Sequence, residues 1–135
     1  MAKTPILELP FSDNLRLADV VRARVSVRAL PALARELSVD LQELAQVAAI
    51  RRRNLKQRLE QSALLSVAES DRLLRVARVY ANAISTFNDR HAAAEWMAEP
   101  LEHLGGETPL QFCCVEPGAR EVESILMRIE HGVYS

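Results

Sequence analysis

The sequence predicts an all-α protein: an N-terminal helix-turn-helix bundle followed by a second, small helical domain. Three observations carry this prediction. Helix breakers are scarce, with four Gly and six Pro in 135 residues, while Ala, Leu, Arg and Glu, all good helix formers, abound. Apolar residues recur at i, i+3, i+4 and i+7, the period of one helix face. Aromatics make up only 4% of the chain, so the core must be built from Leu, Val, Ile and Ala.

The elements follow in order. The first dozen residues carry Pro5 and Pro10, show no helical period and read as an irregular arm. Ser12 or Asp13 can cap a first helix with Leu17, Val20, Val21 and Val25 on one face. Leu30, Leu33, Ala34 and Leu37 form the stripe of a second, with Pro31 confined to its first turn. Ser38 punctuates, and Asp40 can cap a third helix bearing Leu41, Leu44, Ala45 and Ala48. The stretch "AIRRRNLKQRLEQ" (49–61) then buries Ile50, Leu55 and Leu59 and leaves Arg52, Arg53, Lys56 and Gln57 mostly outward. Two short helices joined by a tight turn, the second basic, make a helix-turn-helix candidate. Ala45 is small where the helices must pass closely. Ala49 stands at the turn, where glycine is usual because the backbone often needs a positive φ.

The second half opens on Ser66-x-x-Glu69, a capping box for a long helix. Along that helix Leu73, Ala77, Tyr80, Ile84 and Phe87 form one buried seam. Asn88 and Asp89 end it and cap a short helix whose inward face holds Ala93, Trp96 and Met97. The following "LGGETPL" (104–110) resembles a phosphate loop at first sight. It lacks the preceding strand and the Lys such a loop uses, and Glu107 would repel a phosphate. Gly105 and Gly106 instead suit left-handed turn positions, and Thr108-Pro109 suits the N-cap and first position of another short helix. A last helix from Pro117 buries Val122, Ile125, Leu126 and Ile129 and stops at Gly132.

Net charge is −1, but it is unevenly spread. Residues 1–65 hold eleven Lys/Arg against seven Asp/Glu, and residues 66–135 hold six against eleven. One half therefore suits an anionic partner and the other does not. We place the boundary of the two domains at 65/66. Carboxylates of the second half fall on outward helical positions. His91, His103 and His131 show no metal-ligand spacing, Cys113 and Cys114 are too few for a structural zinc site, and no serine lies in a nucleophile elbow. No catalytic residue, metal or cofactor is expected, and no small-molecule substrate. No apolar run approaches the roughly 20 residues of a membrane span, and the N-terminus lacks a signal peptide's apolar core. A cytoplasmic binding protein is expected rather than an enzyme.

Residues from about 26 onward resemble the Xre/MbcA/ParS-like antitoxins, which partner RES-domain toxins. "LSVAESDRLLRVARVYANAISTFND" (65–89) is similar to the family's linking helix. "AAEWMAEPLEHLGGETPLQFC" (93–113) is similar to its ordered Trp, Pro, Leu-Gly-Gly and Thr-Pro-Leu hallmarks, and "GAREVESILMRIEHGVYS" (118–135) to its C-terminal helix and tail. Upstream, Ala49, Arg51 and Asn54 replace the Gly, Ser and Thr of the family's Gly-Ile-Ser-x-Arg-Thr-Leu pattern. Leu101 replaces the usual Asn.

The resemblance implies an Xre-like N-terminal domain and a C-terminal toxin-binding domain. The first would bind operator DNA of its own operon through Arg51, Arg52, Arg53, Asn54, Lys56, Gln57 and Arg58: the cations on phosphates, with an Arg able to read guanine and Asn54 and Gln57 able to read adenine edges. The second would occlude a NAD-consuming RES-domain toxin, with Arg128, His131, Gly132, Val133, Tyr134 and Ser135 as the inserting segment. A homodimer is implied. A stand-alone helix-turn-helix regulator with a different protein partner is the alternative.

Overall fold

The computed structural model describes residues 5–132. Among them are eight α-helices: α1 Asn14–Ala23, α2 Ala29–Leu37, α3 Leu41–Val47, α4 Leu55–Glu60, α5 Val67–Phe87, α6 Arg90–Met97, α7 Pro109–Phe112 and α8 Glu116–Glu130. No described residue lies in a strand. An antiparallel bridge pairs Ser26 with Leu64 and closes the segment after α4 onto the segment before α2. No described helix is long and apolar enough to cross a membrane.

The long helix α5 is the pillar. Its capping box forms as the sequence predicts: Ser66 Oγ accepts from the Glu69 N–H and Glu69 returns to the Ser66 N–H. Leu73, Ala77 and Tyr80 of the predicted seam are fully buried, and Ile84 and Phe87 pack on the core's edge. Leu74, Val76, Val79 and Ala83 are buried as well, because neighbours surround α5: α1 and the N-terminal segment, then α6 and α8. The Tyr80 ring is core, and its hydroxyl shares one proton between the carbonyls of Glu36 (3.2 Å) and Arg90 (3.1 Å). A buried hydroxyl needs such a partner, and here the partners are the end of α2 and the start of α6.

The N-terminal arm is not irregular throughout. Ile6–Glu8 form a 3-10 turn, and Ile6, Leu7 and Phe11 pack against the core; three residues are too few to show a period in the sequence. Asp13, of the two candidates, caps α1 by accepting from the Arg16 N–H. Val25 lies beyond α1, which ends at Ala23 and is capped by Arg24 with φ +68°. Pro31 sits in the first turn of α2, and Ser38 ends that helix in the left-handed region.

At the other end the "GGETPL" punctuation is as read. Gly105 and Gly106 have positive φ. Thr108 and Gln111 form a second capping box with Pro109 at the first helical position. Cys113 is buried and its thiol pushed up to about 12, chiefly by that burial; Cys114 is exposed. Gly118, inside α8, has a reason that periodicity does not disclose. A Cβ there would lie 1.9 Å from the Phe112 carbonyl oxygen, so α7 and α8 touch backbone to backbone. Trp96 departs from the core reading: Ala93 and Met97 are buried, but the indole is half-buried, with its centroid 5.7 Å from that of Phe87.

Candidate functional site

The helix-turn-helix differs from a tight turn between two helices. Seven residues, 48–54, separate α3 from α4. Ala49 has φ +50° and Asn54 φ +59°. A left-handed residue cannot sit inside an α-helix, so α4 starts only at Leu55. Arg51, Arg52 and Arg53 therefore project from the non-helical segment, Asn54 is the N-cap, and Lys56, Gln57 and Arg58 alone of the predicted set ride on α4. Ala45, Ile50 and Leu55 are buried as anchors.

The segment brings six of its seven predicted residues to solvent. Arg51, Arg52, Arg53, Asn54, Lys56 and Gln57 are exposed. Among the described residues none of the four cations Arg51, Arg52, Arg53 and Lys56 has an ion-pair partner. Four exposed cations thus lie within six residues, with the amide side chains of Asn54 and Gln57 between and beside them.

Arg58 is the exception. Its guanidinium turns inward onto Glu69, Nη2 to Oε1 at 2.7 Å, with both side chains largely buried. Its other nitrogen donates to the Arg51 carbonyl at 3.1 Å. It is not presented to a phosphate. Glu69 likewise departs from the outward placement of second-half carboxylates. Oε1 accepts from Ser66 N–H and from Arg58; Oε2 accepts from the Arg51 N–H at 2.9 Å. Burial alone would raise this carboxyl. The Arg58 hydrogen bond and the backbone donors of Ser66 and Arg51 outweigh it and hold the carboxyl at about 2. One turn on, Arg72 donates to the carbonyls of Ala48 and Ala49, both at 2.8 Å. The sequence pattern discloses Glu69 only as a capping-box residue and does not mark Arg72. Nothing in one amphipathic helix marks which of its arginines reaches a distant turn.

The middle turns of α5 grip α8. Arg75 pairs with Glu116 and reaches the Cys114 carbonyl; Arg78 pairs with Glu116 and Glu123; Asn82 also donates to Glu123. Further along α8, the Arg128 guanidinium lies against Glu121 and Ser124. His131 caps α8, and Gly132 follows with φ +71°. Val133, Tyr134 and Ser135 lie outside the described residues. Two open grooves flank this end of the helix. One of about 410 Å³ is lined by Asn82, Ser85, Met127 and His131. The other, of about 310 Å³, is lined by Trp96, Leu101, Ile125 and Ile129. Met127 is 62% exposed, and half-buried Trp96 forms part of the second groove's wall. Neither residue was singled out as a contact from the sequence.

Residues 16–78 match the family described as the antitoxin Xre-like helix-turn-helix domain, and residues 82–132 that described as the antitoxin Xre/MbcA/ParS C-terminal toxin-binding domain. The two matches meet within α5. Among curated proteins the chain is similar to antitoxin Xre of Yersinia enterocolitica, 31% identical over 94% of this chain and 86% of that one. It is similar also to antitoxin Xre of Photorhabdus laumondii, 35% identical over 69% and 64%, and of Pseudomonas putida, 39% identical over 59% and 50%. The matched region thus spans half the length of the Pseudomonas relative.

Proposed function

The chain belongs to the Xre/MbcA/ParS antitoxin family, and we propose that it binds and occludes a NAD-consuming RES-domain toxin and represses its own operon by binding operator DNA. The observation that carries this reading is the ordered pair of family matches, a helix-turn-helix followed by a toxin-binding domain, on one helical fold. The exposed cations at 51–53 and 56 support the DNA half. A lone module of this size makes few base contacts, so the binding unit is a homodimer on a palindromic site.

Toxin contact falls to the end of α8. Arg128, His131 and Gly132 stand there, and with Val133, Tyr134 and Ser135 they make up the segment proposed to insert into the toxin. A pocket that admits an anionic dinucleotide is electropositive, and the net negative charge of residues 66–135 steers this half toward it. The chain acts by occlusion and does no chemistry of its own.

The test is co-expression with the RES-domain gene of the same operon, followed by affinity purification and an assay of cellular NAD. A stable complex with NAD preserved is expected, and a chain ending at Gly132 protects NAD less while keeping its circular dichroism. In parallel, the protein retards a fragment carrying its own promoter, and Arg52→Ala with Arg53→Ala abolishes the shift. A neighbour that neither binds nor depletes NAD sinks the toxin reading; unchanged promoter affinity in the double variant sinks the assignment of the DNA face.

A further inference from the structure

The DNA-facing segment has no helix or strand of its own to hold it. Several of its backbone groups are nonetheless taken up: carbonyls of α3 accept from the N–H groups of Ala48, Ala49 and Ile50, and side chains of α5 and α4 take others. Arg72 takes the carbonyls of Ala48 and Ala49. Glu69 takes the Arg51 N–H, and Arg58, itself anchored on Glu69, takes the Arg51 carbonyl. Arg51 is therefore gripped on both sides of its own backbone, while its side chain and those of Arg52 and Arg53 are left in solvent. Exposed non-helical backbone samples many conformations unless such partners fix it.

We propose that Glu69 and Arg72, one turn apart on α5, are positioning residues for DNA recognition: neither touches DNA, and together they set the register in which Arg51, Arg52 and Arg53 meet the phosphates. This rests on the operator-binding reading above. The clamp confers pre-organisation. Ordering three arginine-bearing residues at the moment of binding would cost part of the gain from each contact, and Glu69 and Arg72 bring that ordering into the folded protein. Arg58 completes the clamp as the bridge between Glu69 and the Arg51 carbonyl.

The experiment is a titration of the full chain onto its own promoter fragment by fluorescence anisotropy at several salt concentrations. Wild type, Glu69→Gln and Arg72→Ala are compared, each with a thermal melt. Arg72→Ala is the milder change, because it leaves the buried Arg58–Glu69 pair intact, so it carries the test if Glu69→Gln does not fold. The expected result is at least a tenfold loss of affinity in each folded variant. The slope of log affinity against log salt should also fall by about one or more, the signature of lost phosphate contacts. A variant that is merely less stable lowers the apparent affinity by its folded fraction and keeps the slope. Folded variants with wild-type affinity and slope overturn the proposal while leaving operator binding standing. Wild-type protein that fails to bind the fragment removes the DNA reading itself.

Discussion

Two small residues show how position reverses the worth of a methyl group. Ala49 is held at φ +50°, where an L-residue with a Cβ is strained by roughly 1–2 kcal/mol. Part of that strain offsets whatever the Arg72 hydrogen bonds contribute. Ala49→Gly relieves the strain at some entropic cost in the unfolded chain, so a net gain of about 0.5 kcal/mol and a melting temperature higher by about 2 °C are expected. Gly118→Ala should go the other way. A helix interior ordinarily favours Ala over Gly by about 1 kcal/mol, but here the methyl meets the Phe112 carbonyl oxygen at 1.9 Å. Backbone must move, and a loss of about 1–3 kcal/mol follows. Thermal melts of the two variants check both signs. Equal shifts in the same direction would show that local geometry is not what decides them.

At the scale of elements, the ion pairs that fasten α5 to its neighbours make the fold acid-sensitive in a definite window. Glu69 sits at about 2, and Glu116 lies below its ordinary value: its burial pulls upward but is outweighed by hydrogen bonds and charge from Arg78, with further hydrogen bonds from Arg120 and Arg75. A carboxyl whose folded value is depressed contributes stability that is complete above its unfolded value and lost as pH falls toward the folded one. For Glu69 the window runs from about 4.5 down to about 2, and the amount is about 3 kcal/mol. Urea unfolding at pH 7, 4 and 3 should show stability falling across that range. Glu69→Gln, less stable at pH 7, should show a shallower fall; parallel curves would mean that other carboxyls dominate.

The same elements show what a sequence can disclose. Caps are local, so Asp13, Ser66, Asp89 and Thr108 were legible from the residues that follow them. The α5 seam was legible because its period is a property of one helix. The length of the 48–54 segment was not, since Arg51–Arg53 look helix-compatible and only the left-handed Asn54 delays the start of α4. A basic helix reads as uniformly outward, which puts Arg58 among the predicted DNA contacts. Its inward turn depends on Glu69, eleven residues away across a chain reversal. Gly118 and Arg72 belong to the same class, with roles fixed by backbone atoms of other elements that carry no sequence signature.

For the molecule as a whole, α5 belongs to both halves at once. Its first turns, through Glu69, Ser70 and Arg72, hold residues 25, 48, 49, 51 and 58. Its later turns, through Arg75, Arg78 and Asn82, hold α8 and the segment before it. A hybrid antitoxin assembled from two relatives is therefore expected to tolerate a junction near residues 73–74 better than one at 65/66, although the latter falls in a linker. A cut at 65/66 parts Arg58 from its own Glu69, and stranding a buried charge costs about 3–5 kcal/mol. Where the donor helix lacks a matching carboxylate, the melting temperature should be lower by about 10 °C; identical melting for both junctions would show the grip to be dispensable. An exchange of one half for another would thus leave its scar in the middle of a continuous helix, where each half of α5 keeps whatever it holds.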